Sequence, residues 1–174
     1  LMCLRGSACI YQGEELGLSE ADIAFDDLQD PYGIEFWPEF KGRDGCRTPM
    51  VWQKDNGSGG FTTGKPWLPV PADHLTRAVA EAERDANGIL AHYQRALALR
   101  HAHPALINGA QSDMKAEGSV LTFRRSAGGE TLFVAVNLSA KTARAAAPQG
   151  VWSVVAQDLG SCAPEGGSIV LGPW

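Results

Sequence analysis

The chain has 174 residues, a formal net charge of −5 and 44% hydrophobic residues. This length and composition predict a globular protein of one domain or slightly more, with enough apolar residues for a core. The acidic balance, without any basic stripe, argues against a nucleic-acid partner. No apolar run approaches the roughly 18 residues of a membrane-spanning helix, so we expect no membrane partner either.

Four cysteines are scattered along the chain, and none belongs to a CxxC pair or has a histidine close in sequence. We therefore expect no metal site and no cofactor. Free buried thiols in a reducing compartment are favoured over two unrelated disulfides. The first residues also lack the basic leader of a signal peptide, which makes the cytoplasm the predicted location.

Residues 7–12, SACIYQ, form a short and nearly continuous apolar run. Such a run is typical of a strand buried on both faces, as in a parallel sheet. Glu14 and Glu15 follow it, at the strand end where (β/α)8 enzymes place their sites. Adjacent residues on an extended strand point to opposite faces, so the two carboxylates cannot act on one bond. The alternative is that they anchor the following loop through hydrogen bonds.

Residues 19–84 are rich in Pro, Gly, Asp and Trp and show almost no sustained periodicity. A segment of this length without regular structure is usually functional. Its aromatic rings, interleaved with polar groups, suit sugar binding, while the alternative is a satellite core beneath the loop. We expect most of the rings to form such a core and one or two to touch a ligand. They are Phe25, Tyr32, Phe36, Trp37, Phe40, Trp52, Phe61 and Trp67.

Within this segment, residues 42–50 read GRDGCRTPM, with Arg43 and Arg47 on either side of Asp44. An arginine offers a fixed fork of donors that can bind a carboxylate or two vicinal hydroxyls. We predict that one arginine is structural, either pairing with Asp44 or capping carbonyls. The other arginine then remains free to face a pocket.

Residues 85–103 have helical spacing, with Pro104 after a basic last turn. The remaining residues contain short apolar runs separated by turn signals, including Gly128-Gly129, which is typical of a hairpin. They predict a small antiparallel sandwich with a structural role. The predicted strands are 119–125, 131–138, 142–147, 151–157 and 168–171.

The motifs YQGEELG, QDPYGIEFWPEFKGRDGCRTPMVW, GGFTTGKPWLPV and HYQRALALRHAHPAL follow one another in this order. Together they resemble the end of α-glucosidases of the α-amylase superfamily, glycoside hydrolase family 13. The resemblance is strongest to the oligo-1,6-glucosidase and α-1,4-glucosidase branch, and it covers residues 1 to about 106. It implies an α+β fragment, in which the last βα unit of a (β/α)8 barrel with a long loop precedes an antiparallel β-sandwich.

The resemblance also implies a domain division, with the end of the barrel over 1–106 and a C-terminal β-domain over 107–174. Residues 1–5 correspond to the tail of the seventh barrel helix and residues 7–12 to the eighth strand. Residues 13–84 correspond to the eighth loop, and residues 87–103 to the eighth helix.

In function, the resemblance implies part of a retaining α-glucosidase that hydrolyses or transfers non-reducing α-glucosyl units of oligosaccharides. Its nucleophile, acid/base and transition-state carboxylates belong to strands that would precede residue 1. We therefore expect no catalytic residue in this chain and no activity from the chain alone. The partners are the oligosaccharide substrate and the remainder of the barrel, and the alternative is a stand-alone non-catalytic sugar-binding or structural module.

The resemblance also assigns a role to the arginines. In relatives, an arginine of the RDGxR stretch closes the pocket for the non-reducing end, pairs with an Asp of the first barrel loop and binds sugar hydroxyls. Arg43 is the better candidate for this substrate-binding residue and Arg47 is the second.

Overall fold

A computed structural model describes residues 1–54, 57–156, 159–160 and 162–173. The chain divides into two compact units. Ile10–Tyr93 form the first, which we call the loop unit. Leu1–Cys9 together with Gln94–Trp174 form the second, the sheet unit. The division falls within the 14-residue helix α4 (Ile89–Ala102).

The loop unit is built from short helices and turns. It contains the helices α1 (Pro31–Glu35), α2 (Ala72–Leu75) and α3 (Val79–Ala82), and three 3₁₀ helices at Glu14–Leu16, Phe25–Asp27 and Asp44–Cys46. Helix α1 begins at Pro31, where the fixed φ of proline suits a first helical position, and Asp30 caps it. The long segment without periodicity is therefore ordered by caps and tight turns.

Two small aliphatic clusters form the core of the loop unit. The first contains Leu16, Met50, Val51 and Ala78, and the second contains Ile23, Leu28 and Leu68. The prediction that most of the aromatic rings form this core is wrong. Trp37 packs against the second cluster, but the other rings of the set are all about half exposed: Phe25, Tyr32, Phe36, Phe40, Trp52, Phe61 and Trp67. The buried positions are taken by smaller apolar side chains instead.

Residues 7–12 do not form the predicted strand, and their side chains are exposed or half-buried. A strand exists only when a neighbouring strand accepts and donates its backbone hydrogen bonds. The part of the chain that the structure describes places no strand beside this segment.

Residues 1–5 likewise form a turn rather than the tail of a helix. The guanidinium of Arg100 binds the carbonyl oxygens of Leu4 and Gly6, at 3.2 and 2.6 Å. These carbonyls are therefore occupied by a side chain, and one isolated helical turn is too costly to nucleate without tertiary support.

The sheet unit contains the larger part of α4, the short helix α5 (Pro104–Ile107) and, among the described residues, six strands. Strands β1 (Ala110–Glu117), β2 (Val120–Ala127) and β3 (Glu130–Asn137) form one antiparallel sheet in that order. Strands β4 (Ala143–Ala146), β6 (Ser168–Leu171) and β5 (Cys162–Glu165) form a second antiparallel sheet in the order β4-β6-β5. Gly128 and Gly129 join β2 to β3 with φ of 60° and 84°, as the predicted hairpin requires.

The predicted helix and four of the five predicted strands are confirmed. Residues 151–156 form no strand, and residue 157 lies outside the described residues. Two strands were not predicted: β1, whose side chains are mostly exposed and polar, and β5, which contains Pro164. Both lie at the edge of a sheet, where one row of backbone groups needs no partner and proline is tolerated.

A buried arginine organises the interior of the sheet unit. The guanidinium of Arg125 is fully buried, and it donates to the carbonyl oxygens of Cys3, Leu106 and Gly109 at 2.6, 3.2 and 3.1 Å. Burial lowers the pKa of Arg125 and raises the pKa of the Cys3 thiol. This single side chain thereby joins the start of the chain to the turn before β1.

Candidate functional site

The two predicted arginines lie in a tight turn of the loop unit. Arg43 precedes the 3₁₀ helix Asp44–Cys46, and Arg47 follows it. Gly42 has φ of +75°, and a Cβ atom added there would lie 2.9 Å from Cβ of Asp30. A Cβ atom on Gly45 would lie 2.3 Å from the carbonyl oxygen of Ala21. Glycine at these two positions therefore allows the turn to approach the rest of the loop unit closely.

Asp44 is fully buried beneath this turn. Its Oδ2 accepts the backbone N–H groups of Gln29 and Asp30, at 2.6 and 2.7 Å. Its Oδ1 accepts from Nη2 of Arg47 at 2.7 Å. The carboxylate thus joins the turn to the segment that leads into α1.

Asp30 is the second buried carboxylate of the site. Its Oδ1 accepts the backbone N–H of Tyr32 at 3.1 Å, which caps α1. Its Oδ2 accepts both the backbone N–H of Arg43, at 2.9 Å, and Nε of the same residue, at 3.2 Å. The backbone N–H of Arg43 is the largest cause that lowers the pKa of Asp30, and it outweighs the opposing effect of burial. The ionised carboxylate is therefore the form that this site favours.

Both arginines contact Asp30, and Arg47 alone also contacts Asp44. Nη2 of Arg47 contacts Asp44 and lies 3.4 Å from Oδ2 of Asp30, while its guanidinium lies 5.8 Å from the ring centre of Trp67. Arg47 thus makes the pairing with Asp44 that was predicted for one of the two arginines. The Arg43 side chain is 69% exposed, against 35% for Arg47. Within the described ranges, neither Nη group of Arg43 has a hydrogen-bond partner.

A shallow recess of about 250 Å³ opens beside the same turn. Its lining residues are Glu20, Ala21, Asp22, Ile23, Lys41, Gly42 and Gly45. Arg43 and Arg47 are not among them.

Glu14 and Glu15 are anchors of the loop, as the alternative prediction has it. Glu14 accepts the backbone N–H of Tyr11 at 2.8 Å and the hydroxyl of Tyr93 at 3.2 Å. Glu15 accepts the backbone N–H of Gly13 at 2.9 Å. Burial, followed by the Glu14 carboxylate, raises the pKa of Tyr93. Both carboxylates are thus used to hold the turn in place.

No group of three metal-binding side chains occurs in the described parts of the chain. The four cysteines are unpaired, but the prediction that they are buried is wrong: Cys3 and Cys162 are half-buried, and Cys9 and Cys46 are exposed. No helix among the described residues is both long and apolar enough to cross a membrane. The arginine–aspartate cluster, in which two buried carboxylates bind two arginines, is the candidate functional site.

Asp30 was not singled out by the sequence analysis. The available signal was the pair Asp30-Pro31, which is typical of a helix start with an acidic cap. That signal predicts the bond from Tyr32. The two bonds from Arg43 join residues 13 positions apart and require the folded loop.

Comparisons with known proteins agree with the resemblance. The family model described as alpha amylase, catalytic domain, matches residues 1–109. A probable alpha-glucosidase of Rhizobium meliloti (strain 1021) is 54% identical over 143 residues, which cover 82% of this chain and 26% of the relative. An oligo-1,6-glucosidase of Halalkalibacterium halodurans is 32% identical over 157 residues, covering 79% of this chain and 28% of the relative.

Among solved structures, the alpha-glucosyl transfer enzyme XgtA matches with a TM-score of 0.90 and 49% identity, over 99% of this chain and 32% of that chain. The chain thus spans between 26% and 32% of the length of these three relatives. Their names combine glycoside hydrolysis with glucosyl transfer. The chain belongs to the alpha-amylase family.

Proposed function

We propose that this chain is one part of a retaining α-glucosidase that hydrolyses or transfers non-reducing α-glucosyl units of oligosaccharides. The names of its relatives support this substrate class, and the chain spans only about a quarter to a third of their length. In this proposal residues 1–106 complete a (β/α)8 barrel and residues 107–174 form the C-terminal β-domain, a sandwich of the two antiparallel sheets. The end of the family match at residue 109 supports that boundary.

The proposal rests on the hydrogen bonding and exposure of the Arg43 side chain. Its Nε is bound to a buried carboxylate, while its Nη groups are exposed and unpaired among the described residues. Two parallel Nη donors match a pair of vicinal sugar hydroxyls or a carboxylate. Arg43 therefore binds the glucosyl unit, and Arg47, which is held by Asp44, is the second candidate.

The bond-breaking chemistry is assigned to the remainder of the enzyme. A retaining mechanism needs two carboxyl groups about 5–5.5 Å apart on either side of the glycosidic bond. Glu14 and Glu15 are bound to backbone N–H groups, and Asp30 and Asp44 are buried against arginines. We expect no turnover of an α-glucoside by this chain alone.

Two further parts of the proposal concern neighbours and location. The remainder of the barrel supplies residues 7–12 with the flanking strands that they lack here. The four free cysteines favour a reducing compartment, so we assign the protein to the cytoplasm.

The test is the substitution Arg43→Ala in the intact enzyme, assayed with maltose and with isomaltose. We expect KM to rise about ten-fold or more, because charged hydrogen bonds to the sugar are lost. Arg144→Ala is the matched control, since Arg144 is an exposed arginine of the sheet unit that pairs with Glu165. Unchanged KM and turnover in Arg43→Ala would contradict the assignment.

A second candidate is a stand-alone sugar-binding module without catalysis. The half-exposed rings of Trp52, Phe61 and Trp67 favour it, because sugars stack on such rings. Titration calorimetry of the 174-residue chain with maltose separates the two. Binding by the chain alone supports the module, and genuine turnover by the chain alone overturns both candidates.

A further inference from the structure

We propose that Asp30 is a positioning residue that fixes the direction in which Arg43 presents its Nη donors. This inference rests on the proposed role of Arg43 in binding the glucosyl unit. Asp30 does not touch the sugar in this proposal. Its Oδ2 also lies 3.4 Å from Nη2 of Arg47, but the positioning effect proposed here is the one exerted on Arg43.

One oxygen atom of the Asp30 carboxylate binds Arg43 at two points. Oδ2 of Asp30 accepts both the backbone nitrogen and Nε of Arg43, at 2.9 and 3.2 Å. The backbone nitrogen lies before the side chain and Nε lies near its end. A common acceptor therefore closes a ring that includes the aliphatic part of the side chain. An arginine that is 69% exposed would otherwise sample many rotamers. The shared oxygen therefore restricts the side chain to one of them.

The bond through Nε leaves the two Nη groups of Arg43 available to a ligand. The guanidinium has one Nε–H and two Nη groups, and it has no acceptor. Binding through Nε uses the near side of the fork and directs the Nη pair away from the protein. That pair is the part of the group that matches two vicinal hydroxyls. A donor pair that is oriented before the sugar arrives lowers the ordering cost of binding.

Asp30 itself is also held. It is 1% exposed, and its backbone N–H is bound by Asp44 at 2.7 Å. Its other oxygen, Oδ1, caps α1 through Tyr32 at 3.1 Å. Gly42 leaves no spare room, since a Cβ atom there would lie 3.0 Å from Oδ2. The carboxylate is thus fixed on every side, and it transmits that order to Arg43.

The substitution Asp30→Asn in the intact enzyme tests this step. An amide has only one acceptor oxygen, so it cannot serve both Tyr32 and Arg43. We expect KM for maltose to rise about ten-fold, with a smaller change in kcat. Asp26→Asn, which makes the same chemical change at an exposed position of the loop unit, should leave both constants unchanged.

A double-mutant cycle distinguishes positioning from a general structural effect. If Asp30 acts through Arg43, then Asp30→Asn should raise KM little further once Arg43→Ala is present. The same rise in both backgrounds would overturn the inference and leave the proposed function standing. If Arg43→Ala changes neither KM nor kcat, the proposed function itself is wrong.

Should Asp30→Asn fail to fold, nitrogen-15 NMR of the arginine Nε–H groups in the unmodified enzyme decides the question. A slowly exchanging Nε–H signal of Arg43, assigned by its loss in Arg43→Lys, supports the bond to Asp30. A signal that exchanges as fast as that of a free arginine contradicts it.

Discussion

Oδ2 of Asp44 lies 2.7 Å from the backbone nitrogen of Asp30 and accepts its N–H. The buried carboxylate of Asp44 thus holds the main chain of a second buried aspartate. Asp30 in turn holds the backbone and Nε of Arg43. The exposed end of the arginine is therefore connected to the interior of the loop unit by consecutive hydrogen bonds. In our proposal, this series of hydrogen bonds orients the exposed donors of Arg43.

The first prediction concerns the stability that Asp44 contributes. Asp44→Asn places a donor amide group beside donors from Gln29, Asp30 and Arg47. We expect the free energy of unfolding to fall by about 3 kcal/mol, because at least one of these three donors loses its acceptor at a buried site. Urea unfolding followed by tryptophan fluorescence measures the change. Asp26→Asn should change it by less than about 0.5 kcal/mol, and equal stability of the two variants would contradict the account.

The second prediction concerns the close approach of the turn at Gly45. An added Cβ atom would lie 2.3 Å from the backbone oxygen of Ala21, so the main chain must move. We expect Gly45→Ala to cost about 2 kcal/mol or more in unfolding free energy. Gly64→Ala is the control, since the nearest atom to its Cβ would be 3.9 Å away, in Thr62. A thermal melt in which both variants match the parent protein would refute this packing.

The third prediction concerns pH and the pair formed by His103 and Glu130. Nδ1 of His103 lies 2.6 Å from Oε1 of Glu130, while Oε2 accepts the backbone N–H of Ala105. The hydrogen bond from His103 is the largest cause that lowers the pKa of Glu130 from its usual 4.5. A carboxyl whose pKa is lower in the folded state stabilises the fold above its unfolded pKa, and this contribution disappears as the pH falls through the folded pKa.

Glu130→Gln should therefore be less stable than the parent protein near neutral pH. The difference in free energy of unfolding between the parent protein and Glu130→Gln should shrink as the pH is lowered through and below 4.5. Denaturant unfolding at a series of pH values measures it. A stability difference that stays constant down to strongly acidic pH would show that Glu130 is not held in this way.

The fourth prediction concerns the buried Arg125. Arg125→Met leaves the carbonyl oxygens of Cys3, Leu106 and Gly109 without this donor. We expect a loss of about 3 kcal/mol, since buried acceptors lose their partner. Arg144→Met removes an arginine whose ion pair with Glu165 is exposed, and it should cost less than about 1 kcal/mol. Similar unfolding midpoints for both variants would argue against a role for the buried arginine.

The sequence predicted those elements whose signals are local. The Gly128-Gly129 turn fixes a hairpin through its own backbone angles, and the helical spacing before Pro104 defines α4. The edge strands β1 and β5 were missed because an exposed edge imposes no alternation of apolar and polar residues. Residues 7–12 were predicted as a strand from composition, but strand formation depends on neighbours that composition does not contain.

The candidate site was predicted only in part, because some of its contacts are local in sequence and others form only in the folded loop. Pairing with Asp44 was one of the two structural roles predicted for one of the arginines, and Arg47 makes this pairing. The position of Asp30 beneath Arg43 depends on a contact between segments 13 residues apart, which only the folded loop creates. The preference for Arg43 as the substrate-binding residue came from the family resemblance, and it stays a prediction.

The most direct test of the central claim is a crystal structure of the intact enzyme with a glucosyl ligand bound. The account predicts that the Nη groups of Arg43 lie within about 3 Å of hydroxyl oxygens of the glucosyl unit. It also predicts that Nε of Arg43 stays on Oδ2 of Asp30, as it is here at 3.2 Å. A bound glucosyl unit with no contact to Arg43, or with its Nε turned away from Asp30, would contradict the account.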